Sequence, residues 1–260
     1  MSDVIYRELI NDMTWSYSRV SCFEDCPYKW FVKYIHQDEE APMFFSSYGS
    51  FLHKLIEYYY RGIFTKEEIQ TMFLTEYHKK IIGCRPPINT VKKYINEAIE
   101  YLDSFEPFPY EMVAVEKEIR FDINGTEFIG YIDFLGKDEN GDLYIVDNKS
   151  RILKPRSSRV KPTQNDLVLD KMLRQLYLYA EGIKREFGKY PKALCFNCFR
   201  SNTLIVEPFD EAKHKEALEW AGNLIEEIKD TSDFVPNVEF FQCKYLCGYN
   251  NDCCYWQGMM

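Results

Sequence analysis

Several features that would place this 260-residue chain in other classes of protein are missing from its sequence. No apolar run approaches the ~20 residues that a membrane-spanning helix needs, and the first residues lack the basic and apolar regions of a signal peptide. Internal repeats, low-complexity segments and helicase motifs are also absent. We therefore expect one globular domain over residues 1–260, without a membrane partner, in the cytoplasm of a bacterium or a phage-infected cell.

Positive charge is scarce overall, and the net charge of −9 argues against nucleic-acid binding by the whole surface. One segment departs from this balance, because residues 149–161 contain no acidic side chain. The basic residues that follow Lys149 in this segment are Arg151, Lys154, Arg156, Arg159 and Lys161. A solvated loop would explain such a run, but a track for the phosphates of DNA is the interpretation that we favour.

The periodicity of apolar residues changes along the chain and predicts an α/β fold. Residues of about 16–110 have helical spacing, residues 111–230 alternate strands and helices, and residues 236–257 form a cysteine-rich tail. The elements predicted for the middle region are strands at Val113–Phe121, Phe128–Leu135, Leu143–Asn148, Ala193–Phe199 and Thr203–Val206, and helices at Asp166–Phe187 and Asp210–Lys229. This order fits a mixed central sheet flanked by helices, with a helical N-terminal region and a C-terminal clasp.

Two acidic residues accompany consecutive strands of this middle region. Asp133 ends the segment Gly130-Tyr131-Ile132-Asp133, and Asp147 follows the apolar strand Leu143-Tyr144-Ile145-Val146. Lys149 lies two residues after Asp147 and therefore points to the same face of the strand. Two carboxylates and an ammonium group at one sheet edge can hold a hard divalent cation beside an activated water. The pattern favours hydrolysis of phosphodiesters.

The order of four segments resembles the RecB-like branch of the PD-(D/E)XK nuclease superfamily. The segments are Gly49-Ser50-Phe51-Leu52-His53, Gly130-Tyr131-Ile132-Asp133, Asp147-Asn148-Lys149 and Gln175-Leu176-Tyr177-Leu178-Tyr179. Each motif is weak alone, but the four occur in the expected order and on the expected strands and helices. The resemblance runs from about Ser16 to Trp256 and extends to CRISPR-adaptation nucleases and the nuclease domain of AddB.

This resemblance implies a restriction-endonuclease-like core and a set of roles for the motif residues. Mg²⁺ or Mn²⁺ would be bound by His53, Asp133, Asp147 and the backbone carbonyl of Asn148, with Glu116 as a further acidic candidate. Lys149 would assist the attacking water, and Gln175 and Tyr179 would support the site and the DNA. A core histidine and an ordinary amphipathic helix remain the alternatives for His53 and for the Gln175–Tyr179 pair.

Nine cysteines in a chain without a secretion signal favour metal binding over disulfides. Cys243, Cys247, Cys253 and Cys254 lie within the last eighteen residues. The segment Cys26-Pro27-Tyr28-Lys29-Trp30 and this tail resemble those of family members that carry a 4Fe–4S cluster. The resemblance implies Cys26, Cys243, Cys247 and Cys253 as ligands, with Cys254 as a competitor and Zn²⁺ as the alternative occupant. Such a cluster would clasp the tail to the first helices.

Together these features predict a Mg²⁺- or Mn²⁺-dependent deoxyribonuclease. By the resemblance, its substrate is the end of single-stranded DNA, and an exonuclease is favoured over an endonuclease. The alternative is a DNA-binding or assembly subunit of a recombination or CRISPR spacer-acquisition complex, whose nuclease site acts only with a partner. A zinc-clasped enzyme of RNA processing is a third hypothesis, for which the sequence offers no recognition element.

Overall fold

A mixed five-stranded sheet lies at the centre of the protein, whose computed structural model describes residues 3–258. The strands are β1 (Glu111–Ile123), β2 (Thr126–Lys137), β3 (Leu143–Lys149), β4 (Ala193–Cys198) and β5 (Thr203–Pro208). They lie side by side in chain order, and every neighbouring pair is antiparallel except β3 and β4, which are parallel. The predicted fold class, a mixed sheet flanked by helices, is confirmed.

The first three strands form a meander whose first turn follows from local chemistry. Asn124 and Gly125 join β1 to β2, and both have positive φ, 52° and 82°. Asparagine and glycine adopt this left-handed backbone more readily than other residues, so an Asn-Gly pair closes a two-residue hairpin. The turn sets the register that pairs Ile123 with Thr126 and, farther along, Lys117 with Ile132.

Helices cover the sheet and fill most of the N-terminal region. They are α1 (Asp3–Asn11), α2 (Tyr17–Asp25), α3 (Pro27–Phe31), α4 (Phe44–Tyr60), α5 (Lys66–Lys80), α6 (Ile88–Ser104), α7 (Gln164–Phe187), α8 (Glu211–Asp230) and α9 (Cys254–Gln257). Pro27 begins α3 rather than bending α2, because proline fits the first turn of a helix, where its missing N–H group is not needed. Helix α1 was not expected from the sequence.

Helix α7 connects the two parallel strands and carries part of the site. Thr163 and Asp166 close its N-terminus with a capping box, and Gly188 ends it in the left-handed conformation. Its buried face packs on the sheet through leucines such as Leu169, Leu173 and Leu176. The capping box defines where α7 begins. Gln175 and Tyr179 lie farther along the same helix.

Two hydrophobic cores meet near the end of β3. The larger core lies between the sheet and α7, α8 and the first helices. The second core is built by α4, α5 and α6 and includes Phe199, which directly follows β4. Because α4 belongs to the second core and α7 to the first, their side chains approach the end of β3 from two directions. Within the described residues, no helix has both the length and the apolar character to cross a membrane.

Candidate active site at the edge of the sheet

Strands β2 and β3 separate where the two predicted carboxylates lie. Their last paired residues are Phe134 and Val146, and Asp133 and Asp147 are the next residues on each strand. Beyond this point the Asn148 backbone N–H donates to Asp133 Oδ2 at 2.7 Å. A side-chain carboxylate thus takes the place of a carbonyl in the sheet, and Asp133 is held within β2 while Asp147 is held near the end of β3.

Asp147 carries the least satisfied oxygen of the site. The residue is 4% exposed, and Asp147 Oδ2 is buried without a hydrogen bond from any described residue. Lys149 Nζ lies 2.7 Å from this oxygen, a close ion pair that lacks the angles of a hydrogen bond. The ammonium group of Lys149 is therefore the one partner that the described residues give this buried oxygen, whose burial would otherwise be costly.

A chain of polar groups on α7 supports Lys149. Lys149 Nζ donates to Gln175 Oε1 at 2.9 Å, and Gln175 Nε2 donates to the Tyr179 hydroxyl at 3.2 Å. Gln175 and Tyr179 are four residues apart and therefore share one helix face. Tyr179 also packs so closely on β2 that a Cβ atom on Gly130 would lie 2.4 Å from its ring. Gly130 is therefore required for this approach.

His53 reaches the same edge from α4. His53 Nδ1 lies 3.3 Å from Asp133 Oδ2. One turn earlier on the helix, a Cβ atom on Gly49 would lie 2.9 Å from Ser150 Oγ, so glycine is what lets α4 approach the end of β3. Burial lowers the pKa of His53, which favours the neutral imidazole that binds metal ions.

The two carboxylates strongly influence each other. Burial and the neighbouring charge of Asp147 raise the pKa of Asp133 to about 7. Two buried carboxylates cannot both stay ionised at low cost unless a positive charge joins them. Lys149 supplies one such charge, and a divalent cation between the oxygens would supply more.

Glu116 adds a third acidic group beside Asp133. It lies between the pairs Val115–Phe134 and Lys117–Ile132, and is therefore opposite Asp133 across the β1–β2 ladder. Burial and then the charges of Asp133 and Glu57 raise its pKa. Its φ of 49° is left-handed in the middle of a strand, a strained backbone that is typical of functional sites.

One supporting group was missed at the level of sequence. Asn148 Oδ1 accepts a hydrogen bond of 2.8 Å from Asn197 Nδ2, which also donates to the Tyr101 hydroxyl at 2.7 Å. Asn148 and Asn197 are paired neighbours on the parallel strands β3 and β4. This network fixes the peptide of Asn148, whose N–H binds Asp133. An asparagine inside the apolar run of β4 was the available signal.

The basic segment leaves the site from Lys149 but is not a uniform track. Arg151, Lys154, Arg159 and Lys161 are exposed. Arg156 instead makes ion pairs of 2.7 Å with both Asp170 and Glu207, and these carboxylates raise its pKa further. Four side chains of the segment are thus available to a polyanion, while Arg156 anchors the loop to the fold.

The predicted cysteine ligands come near one another around the start of α3. Burial raises the pKa of the Cys243 thiol, and the nearby charges of Cys26 and Cys253 raise it further. Burial also raises the pKa of Cys247, and the charges of Cys26 and Cys243 raise this pKa further. Cys253 and Cys254 both lie near Tyr28, whose pKa they help to raise beyond the effect of burial. The four thiols and the competitor Cys254 therefore share one neighbourhood.

Backbone contacts hold this tail in place. The Ala41 N–H donates to the Gly248 carbonyl at 3.2 Å, and the Tyr249 hydroxyl donates to the Asp38 carbonyl at 3.0 Å. Across residues 3–258, no three His, Cys, Asp or Glu side chains are already arranged closely enough to hold a metal ion. Both the thiols and the carboxylates would therefore adjust their side chains on binding.

The family of the protein follows from a comparison with known sequences. Residues 14–254 match the model of the PD-(D/E)XK nuclease superfamily, which covers most of the chain and every site residue described above. The chain therefore belongs to this superfamily, and its class is that of a nuclease. No curated protein sequence matches the chain.

Two solved structures align with nearly the whole chain. The structure of a candidate exonuclease from Eubacterium rectale is 13% identical in sequence, aligns over 97% of this chain and 92% of its own, and has a TM-score of 0.53. The structure of SSO0001 is 15% identical and aligns over 97% of both chains, with a TM-score of 0.31. The first similarity supports the fold, and the second is too low to support a conclusion.

Proposed function

We propose that this protein is a divalent-metal-dependent deoxyribonuclease that degrades single-stranded DNA from its ends. The observation that carries the proposal is the buried Asp147 Oδ2, which accepts no hydrogen bond from the described residues and lies beside Lys149. The similar structure from Eubacterium rectale belongs to a candidate exonuclease, which favours action on ends.

The residues at the sheet edge fit a hard divalent cation. Oxygens of Asp133 and Asp147 and the carbonyl of Asn148 are ligands that Mg²⁺ prefers, and the neutral His53 imidazole makes Mn²⁺ equally suitable. Glu116 is placed to add an oxygen on the Asp133 side. A bound cation would polarise the scissile phosphate and lower the pKa of a water molecule at the site.

The protein's own groups would then orient the reaction. Gln175 accepts a hydrogen bond from Lys149, so that Lys149 can leave its ion pair with Asp147 when a cation binds this carboxylate. Lys149 can then donate a hydrogen bond to the attacking water or to a phosphate oxygen on which negative charge builds. Asn148 keeps Asp133 in place through its N–H group. Exposed residues of the basic segment, such as Arg151 and Lys154, would guide the DNA backbone to this edge.

A 4Fe–4S cluster on Cys26, Cys243, Cys247 and Cys253 completes the proposal. Four thiols in one neighbourhood are a donor set that suits either this cluster or Zn²⁺. In both cases the role is structural, because the bound group would tie the tail to α3. Nothing in the proposed hydrolysis requires electron transfer.

The test is cleavage of end-labelled linear and circular single-stranded DNA with Mn²⁺, with an RNA of the same sequence beside it. Asp147→Asn is the inactive variant, and Asp12→Asn, which changes an exposed carboxylate elsewhere, is the matched control. We expect linear DNA to be degraded by the parent and by Asp12→Asn only.

The other outcomes separate the alternatives. Cleavage of circular DNA would indicate an endonuclease instead of an exonuclease. Faster cleavage of RNA than of DNA would indicate that RNA is the substrate. A folded protein that binds DNA but cuts no substrate with either metal ion would favour the assembly-subunit hypothesis.

A further inference from the structure

A pocket of about 410 Å³ has Tyr179 in its wall. Residues from the start of α2 and from β1 and β2 line it together with Tyr34 and Tyr179. The lining residues used below are Ser16, Ser18, Arg19, Arg120, Tyr131 and Tyr179. None of the described residues that line the pocket is acidic, and most of its polar side chains carry hydrogen-bond donors.

The fold positions the first wall of this pocket with backbone hydrogen bonds. The Trp15 N–H donates to the Glu127 carbonyl at 3.0 Å, and the Ile129 N–H donates to the Trp15 carbonyl at 2.8 Å. These bonds hold the segment before α2 against β2. Ser16 and Ser18, whose hydroxyl oxygens are 3.0 Å apart, are therefore fixed beside Gly130 and Tyr131.

Arg19 supplies the charge of the pocket. Its guanidinium lies 5.3 Å from the centre of the Tyr34 ring and donates one hydrogen bond to the Thr14 carbonyl. A guanidinium has five N–H donors in a planar fork, so this contact leaves donors for a ligand. Arg120 is largely compensated, because Glu118 lies 2.9 Å and Glu127 3.4 Å from it.

Tyr179 joins the pocket to the catalytic edge. Its side chain is 7% exposed, and its hydroxyl oxygen accepts a hydrogen bond from Gln175, which in turn holds Lys149. No described residue accepts the Tyr179 hydroxyl proton in a hydrogen bond of the structure, so this buried group retains an unused donor at the pocket wall. Tyr131 and Asp133 lie two residues apart on one face of β2, ~7 Å along the strand.

We propose that this pocket binds a second phosphate of the substrate, about one nucleotide from the scissile phosphate. The ligand class follows from the lining, because an arginine fork, serine hydroxyls and a tyrosine hydroxyl together bind phosphate oxygens. The inference rests on the proposed function and deepens it, since the pocket would set the register of the strand. The phosphate is either internal or the terminal phosphate of a DNA end.

Binding of fluorescent single-stranded oligonucleotides tests the proposal, measured by anisotropy over a series of salt concentrations. Every protein in this experiment is the full chain with Asp147→Asn, so that the DNA is not cleaved during the measurement, and Asp147→Asn alone is the reference. The test variants are Arg19→Gln and Ser18→Ala, and the controls are Arg85→Gln and Ser21→Ala. Three oligonucleotides of one sequence carry a 5′-phosphate, a 3′-phosphate or hydroxyls at both ends.

We expect Arg19→Gln to weaken binding about tenfold and to reduce the slope of log affinity against log salt by about 0.7, the loss of one phosphate contact. Ser18→Ala, which removes only a surface hydroxyl, should weaken binding less and is safe for folding. An equal loss on all three oligonucleotides would show an internal phosphate. A loss confined to one phosphorylated end would show a terminal one.

If both test variants keep the affinity for DNA and its salt dependence, or change no more than the controls, the pocket does not bind a phosphate. The nuclease proposal would remain intact. A reference protein that binds no single-stranded DNA at all would overturn the proposed function, and the pocket with it.

Discussion

The sheet edge and the cysteine tail are both candidate sites for bound metal, but the fold supports them very differently. The carboxylates lie on strands of the central sheet, and hydrogen bonds of 2.7–3.2 Å connect their partners. The thiols lie on short segments, at the start of α3 and in the tail, which separate hydrogen bonds such as Ala41–Gly248 join to the rest of the fold. The backbone of the first site is therefore fixed without a ligand, so that only its side chains would adjust on binding, whereas the second site would be completed by its ligand.

This difference suggests opposite contributions to stability. The sheet edge buries two neighbouring carboxylates, and this burial together with the charge of Asp147 raises the pKa of Asp133. We expect such an arrangement to cost stability, as functional sites often do. A cluster on the tail would instead add folding free energy, because the ligand binds the folded chain only. Changes at the first site should reduce activity, and changes at the second should reduce stability.

The strongest way to sharpen this comparison is Asp147→Asn. We expect cleavage to fall about a thousandfold, ~4 kcal/mol of transition-state stabilisation, because a cation would lose a charged ligand. Removing one of two repelling buried charges should leave the melting temperature unchanged or raise it. DNA cleavage rates and thermal unfolding curves give the two measurements.

Asp12→Asn is the control for both measurements. A large fall in the melting temperature of Asp147→Asn would mean that the carboxylate is a structural group. In that case the contrast between the two sites would fail.

The sequence allowed much of the sheet edge to be predicted, because its information is local. Alternating apolar residues defined the strands, and the two-residue spacing of Asp147 and Lys149 put both on one face. Gln175 and Tyr179 share a helix face for a similarly local reason. The meander of β1, β2 and β3 then brings the ends of neighbouring strands together.

The features that could not be predicted depend on distant residues. Arg156 reads as part of a basic track until Asp170 and Glu207 are placed beside it by α7 and β5. Asn197 looks like an isolated polar residue in an apolar strand until Tyr101 on α6 meets it. The backbone of Glu116 is left-handed within an otherwise regular strand, and no feature of its local sequence requires this.

The next largest effect is expected for Lys149→Met. This variant keeps the length of the side chain but removes the ammonium group, so the rate of cleavage should fall about a hundredfold. Metal binding should persist, since both carboxylates remain. Single-turnover cleavage at saturating Mn²⁺ measures the loss, and Lys92→Met, at an exposed position of α6, is the matched control. Equal rates in the two variants would remove Lys149 from the chemistry.

Cys247→Ser tests the other side of the comparison. We expect the purified protein to lose its brown colour and the iron that it contains, and its melting temperature to fall by about 5 °C, ~2 kcal/mol for a chain of this size. The folded fraction should still cleave DNA at the parental rate, because the thiols lie away from the carboxylates.

Cys84→Ser and Cys254→Ser complete that experiment. Cys84 is exposed and distant from the tail in sequence, so its variant should keep colour and stability. Loss of colour in Cys254→Ser but not in Cys253→Ser would move the fourth ligand to Cys254. Zinc instead of iron in the parent would mean that Zn²⁺, not a 4Fe–4S cluster, ties the tail to the first helices. A colourless, metal-free parent that is no more stable than Cys247→Ser would contradict the proposed metal site in the tail.

The smallest effect is expected for Asn197→Ala, which leaves every proposed ligand in place. Asn148 would lose the hydrogen bond to its side chain, and its peptide, which holds Asp133, would be less firmly positioned. Groups that orient metal ligands typically affect metal affinity about tenfold or more. The Mn²⁺ concentration for half-maximal cleavage should therefore rise about tenfold, while the rate at saturating Mn²⁺ changes little. Tyr101→Phe keeps the Asn148–Asn197 hydrogen bond and should raise this Mn²⁺ concentration less. A fall in the saturated rate alone would assign the network to packing of the core rather than to the position of Asp133.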